Sequence, residues 1–65
     1  MDIYVVMENE ELYVKAFRTY ADALSVVKTK FGEELEGGLN ENPDGKTYLY
    51  VEKGIHIWIY RLPVD

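Results

Sequence analysis

Alternation of residue types is strongest toward the end of the chain. In Ile55-His56-Ile57-Trp58-Ile59-Tyr60 three isoleucines alternate with His56, Trp58 and Tyr60, and in Thr47-Tyr48-Leu49-Tyr50-Val51 the tyrosines alternate with Thr47, Leu49 and Val51. Successive strand side chains point to opposite faces, so both runs predict strands with one aliphatic and one aromatic face. The turn between them sets the register. A two-residue Lys53-Gly54 loop would pair Tyr50 with Ile57 and mix the classes. A three-residue Glu52-Lys53-Gly54 loop, with Gly54 in the left-handed conformation of a bulge, pairs Val51 with Ile55, Leu49 with Ile57 and Thr47 with Ile59. A slip of one residue would carry a whole hydrophobic set to the wrong side, so the three-residue loop is expected.

Residues 3–7 and 12–17 are rich in β-branched and aromatic types and flank the polar segment Glu8-Asn9-Glu10-Glu11, short enough for a hairpin loop. Ile3, Val5 and Met7 share one parity, and Leu12, Val14 and Ala16 share one in the second run. Tyr4, Tyr13 and Phe17 take the opposite parity, which puts them with the aromatics of the C-terminal strands. Between these hairpins a helix is expected over residues 20–31. Thr19 is a suitable N-cap with Asp22 three residues on, and Tyr20, Leu24, Val27 and Phe31 draw one apolar stripe that Leu35 can extend. Lys28 and Lys30 suit the last turn, and Gly32 suits the position after it. Residues 37–45 are dense in turn formers and read as a loop. The expected fold is α+β, a ββαββ single domain over residues 1–65, with one helix on a four-stranded, mostly antiparallel sheet. Its helix should cover Ile3, Val5, Leu12, Val14, Leu49, Val51, Ile55, Ile57 and Ile59. One helix shields one face of a sheet, so the aromatic face is left over.

Composition narrows the function. Sixty-five residues lie near the lower limit for an unassisted core, and there is no cysteine to brace it. A hydrophobic share of 48% excludes a disordered chain. The net charge of −5 argues against direct nucleic-acid binding, which draws on a basic surface. It also weighs against reading the tyrosines as the base-stacking platform of an RNA-binding sheet, with only Lys15, Arg18, Lys46 and Arg61 nearby. The opening residues lack the pattern of a signal peptide, and no apolar run approaches the roughly 20 residues that span a bilayer. A cytoplasmic, non-membrane protein is expected.

No catalytic constellation is visible in the sequence. His56 is the only histidine and Ser25 the only serine, and neither has a recognisable partner. Residues 40–45 imitate the opening of a calcium loop, but the position where a bidentate Glu belongs is Val51, so a turn is expected and no metal. No cofactor is expected. Acidic residues gather in two places: Glu8, Glu10 and Glu11 in the first loop, and Glu33, Glu34, Glu36, Glu41 and Asp44 after the helix. They are either solvated loops or an imitation of a phosphate backbone aimed at a basic protein channel. The candidate binding surface is aromatic: Tyr4, Tyr13, Phe17, Tyr48, Tyr50, His56, Trp58 and Tyr60. Tyrosine and tryptophan anchor protein interfaces because they bury large area with few rotors and keep a polar handle.

The start Ile3-Tyr4-Val5-Val6, the hairpin, and Ala16-Phe17-Arg18-Thr19-Tyr20 leading into Ala21-Asp22-Ala23-Leu24 resemble small accessory proteins of bacteriophages, among them anti-defence inhibitors such as anti-CRISPR proteins. The resemblance covers the whole chain in style, without a motif that carries residue roles. It implies a non-enzymatic module that occludes a host protein in the host cytoplasm. The alternative is a homodimeric scaffold, or a binder of a small ligand or nucleotide, that uses the same aromatic face.

Overall fold

The structure, a computed structural model, describes residues 1–38, 40–51 and 54–64. Among them the chain forms β1 (Asp2–Glu8), β2 (Glu11–Leu12), α1 (Tyr20–Phe31), a 3-10 turn (Gly32–Glu34), β3 (Leu35–Glu36), β4 (Lys46–Val51) and β5 (Ile55–Pro63). The strands make one antiparallel sheet in the order β2-β1-β5-β4-β3, with α1 against one face.

The helix occupies its predicted span. Thr19 Oγ1 accepts the Asp22 backbone N–H at 3.1 Å, and Gly32 ends the helix at φ 61, donating its N–H to the Lys28 carbonyl. Ala23, Leu24 and Val27 are buried, with Tyr20 and Phe31 packed beside them. They cover Leu49, Val51, Ile57 and Ile59, all almost wholly buried. The β4–β5 register is the expected one, Val51↔Ile55, Leu49↔Ile57 and Thr47↔Ile59, and Gly54 has φ 89. Glu52 and Lys53 of the predicted turn, and Leu39 of the predicted 37–45 loop, lie outside the described residues.

The N-terminal half corrects the expectation. The sheet has five strands where four were predicted, because Leu35–Glu36 leaves the 3-10 turn and pairs with Val51 and Tyr50. The predicted 12–17 strand survives only as Glu11–Leu12 and a single bridge from Phe17 to Tyr4. Between the Tyr13 N–H bonded to the Val6 carbonyl and that bridge, Val14, Lys15 and Ala16 stand opposite Val5 alone, so the edge bulges outward. Val14 is fully exposed and Leu12 is 62% exposed, although both were assigned to the core.

The parity of β1 is also the reverse of the prediction. Val6 pairs with Ile59 and is fully buried, which turns Tyr4 to the helix and Ile3, Val5 and Met7 to the other face. Tyr4, Tyr13 and Phe17 therefore lie under or beside the helix. The reason is the narrowness of one helix over five strands. Long rings fill the margin that aliphatic side chains would leave open, and their hydroxyls still reach carboxylates at the rim. Tyr4 donates to Glu41 at 3.0 Å, and Tyr13 donates to Glu8 at 2.8 Å.

Candidate functional site

On β4, Lys46, Tyr48 and Tyr50 point away from the helix, and on β5 their partners Tyr60, Trp58 and His56 do the same. Pairing with β5 adds Val5 beside Tyr60 and Met7 beside Trp58. Leu12 joins from β2 and Glu36 from β3. The result is a continuous face in which aromatics form the centre and aliphatics one flank.

The rings hold one another. Tyr48 and Trp58 are 5.0 Å apart between centroids, Trp58 stacks on Tyr60 at 5.9 Å, and Tyr48 stacks on His56 at 5.8 Å and on Tyr50 at 6.5 Å. The Tyr48 hydroxyl is also hydrogen-bonded to His56 Nδ1. Cross-strand aromatic pairs of this kind fix rotamers, so less side-chain entropy remains to be lost on binding. Tyr48 and Tyr50 remain 39% and 45% exposed.

The first turn fixes one end of the face. Asn9 and Glu10 both have positive φ, 47 and 71, the signature of a two-residue type I′ turn. Asn9 donates its N–H to the His56 carbonyl and accepts the His56 N–H on Oδ1, each at 2.9 Å. A shallow hollow of about 400 Å³ follows, lined by Met7, Asn9, Glu10, His56, Trp58 and Tyr60. Beside Tyr50, Glu33, Glu34 and Glu36 line a second hollow of about 300 Å³.

The predicted acidic patch is divided by the fold. Glu8 belongs to the helix side, where it takes Lys30 Nζ at 2.8 Å together with Tyr13. The Lys30 hydrogen bond holds its carboxyl below the usual range, while burial, and then Glu8, push the Tyr13 phenol up. Glu41 binds Arg61 Nη1 at 3.0 Å as well as Tyr4, whose phenol is raised by desolvation and then by Glu41. Asp44 accepts the Lys46 N–H at 3.0 Å in the turn expected for residues 40–45. Glu10, Glu33, Glu34 and Glu36 are the acids that rim the aromatic face.

Of the eight aromatic candidates, Tyr48, Tyr50, His56, Trp58 and Tyr60 come together on the open face. Tyr4, Tyr13 and Phe17 do not. Ile3 and Val5 belong to the face although they were expected under the helix, Met7 joins them, and Glu36, expected only as part of the acidic patch, stands at its edge. Their placement follows from cross-strand register, and that of Lys46 from its parity with Tyr48. Among the described residues no three carboxylate or imidazole groups converge on a point where a metal could sit. Nor, among the described residues, is any helix long and apolar enough to cross a membrane. No family model, curated protein or solved structure matches the chain.

Proposed function

We propose that this chain is a non-enzymatic protein-binding module whose contact surface is the open aromatic face. The observation that carries the reading is the uncovered row of Tyr48, Tyr50, His56, Trp58 and Tyr60, bordered by Val5 and Met7, on a sheet whose other face already holds the core. Large aromatic side chains in a pre-stacked, nearly uncharged patch are the composition of interface hot spots. A soluble monomer rarely leaves such a patch wet. The chemistry of the face also suits a binder better than a catalyst. His56 stacks on Tyr48 and is hydrogen-bonded to its hydroxyl, which holds the imidazole as part of the aromatic row.

The biological role we assign to the module is that of a phage-type inhibitor that covers a host defence protein in the cytoplasm. The rim of Glu10, Glu33, Glu34 and Glu36 supports this role by favouring a basic surround on the partner. The test is capture from a bacterial lysate on the immobilised chain, followed by oxidative footprinting of the complex. Tyr48, Trp58 and Tyr60 should be protected, while Tyr13 and Phe17 keep their level in the free chain. Protection confined to the helix side would refute the assignment of the surface, and no stoichiometric protein partner would count against the inhibitor role.

A further inference from the structure

Two charged residues stand on the open face among the described strand residues, and they stand at opposite ends of it. Lys46 lies two residues before Tyr48 on β4, and Glu36 pairs with Tyr50, two residues after Tyr48. Each is thus one outward position, about 7 Å along the strand, from the row that contains Tyr48 and Trp58. The neighbouring strands repeat this symmetry. Tyr60 and His56 flank Trp58 on β5, and Met7 lies level with Trp58 on β1.

An axis of twofold rotation in the plane of the face, perpendicular to the strands and along the Tyr48–Trp58 row, exploits that arrangement. It lays Tyr60 of one copy over His56 of another and Lys46 over Tyr50, one strand spacing of about 4.8 Å from Glu36 and within reach of the long lysine side chain. Trp58, Tyr48 and Met7 meet their own counterparts at the centre. We propose that the occupant of the open face is a second copy of this chain, stacked face to face about this axis. The proposal rests on the reading of the face as a contact surface and names what closes it when no other protein is present. A twofold interface is isologous, so the Lys46–Glu36 match is made twice. The face contributes one positive and one negative charge and is neutral as a whole. Glu8 and Glu41 are neutralised on the helix side by Lys30 and Arg61, and Glu10, Glu33 and Glu34 lie at the rim of the face, outside its strand residues. The helices lie on the two outer sides of such a stack, with the sheets roughly 10 Å apart.

The face offers roughly a dozen outward side chains, fewer than the 20–30 per side of a standard interface, so the complex is weak and concentration-dependent. Its expected dissociation constant is on the order of 100 μM. Sedimentation equilibrium from about 5 to 500 μM tests it on either side of that value. The mass should rise from 7.6 kDa toward twice that value. Lys46→Glu and Glu36→Lys should each weaken association about tenfold, because two matched pairs become two repulsive ones. The two substitutions together should restore association to within about threefold of the original, since the pairs are matched again.

A single 7.6 kDa species at the highest concentration overturns the second copy. So does a double charge reversal that associates no better than either single one. If the chain stays monomeric while a captured protein still protects Trp58 and Tyr48 from oxidation, the second copy is wrong and the contact surface stands. If the face is protected neither by concentration nor by a captured protein, both fall together.

Discussion

Val6 and Val5 are neighbours of the same type on β1, and the structure gives them opposite fates. Val6 is fully buried opposite Ile59, while Val5 lies beside Tyr60 on the open face. Val6→Ala removes two methyl groups from a site with no access to water. The lost transfer energy is about 1.6 kcal/mol, and the cavity beneath α1 brings the cost to about 2–3 kcal/mol. A chain of this length has a total stability of roughly 3–10 kcal/mol, so the loss is a large part of it. The melting temperature should fall by about 10–20 °C, followed by circular dichroism. Val5→Ala suffers the same loss of strand propensity but leaves no cavity, so its cost should stay under about 1 kcal/mol. A Val5→Ala melting point as low as that of Val6→Ala, or lower, would refute the observed parity of β1 and restore the one read from the sequence.

The Asn9-Glu10 turn carries a second prediction. Glu10 holds φ 71, where glycine is the usual occupant of a type I′ turn. Glu10→Gly should therefore raise stability by about 0.5–1 kcal/mol, the relieved strain less the added entropy of glycine, read as a higher melting temperature. A third concerns acid. The folded state depresses the Glu8 carboxyl below 4.5 through the Lys30 hydrogen bond first and Tyr13 second. A depressed carboxyl contributes stability that is present above the unfolded value and lost as pH falls through the folded one. Glu8→Gln should thus melt a few degrees below the parent chain at pH 7, and the gap should narrow as pH falls below the ordinary carboxyl range and close once Glu8 is protonated in the folded chain. A gap that persists in acid would mean that the Glu8 contribution is packing and not charge.

The sequence was most legible where residue type distinguishes the two faces. On β4 and β5 isoleucine, leucine and valine alternate with tyrosine, tryptophan and histidine, so one register segregates them and the structure adopts it. The helix was legible because Thr19, the Tyr20–Leu24–Val27–Phe31 stripe and Gly32 are local signals. On β1 both parities are apolar, Ile3-Val5-Met7 against Tyr4-Val6, so alternation alone does not say which side is buried. What decides it is remote: the Tyr4 hydroxyl meets Glu41 and its ring meets Tyr20 edge-on, across 37 and 16 positions of the chain. Strand β3 left no periodic trace, because two residues are too few to show one. The candidate site was therefore readable at its aromatic centre. Its β1 flank and Glu36 at one end follow only from strand pairing, while Lys46 at the other end shares the parity of Tyr48 on β4.

The central claim is that the aromatic face binds and the aliphatic face folds. The most direct measurement compares the Tyr48→Ser/Trp58→Ser double variant with Ile57→Ser, following thermal melting and association on the same samples. Tyr48 and Trp58 stand outside the core, so the double variant should stay folded and lose association, each lost anchor being worth about 2 kcal/mol to binding. Ile57 is fully buried beneath the helix, and a hydroxyl there without a partner should unfold the domain. If the double variant unfolds as readily as Ile57→Ser, the aromatics are core and the account is contradicted.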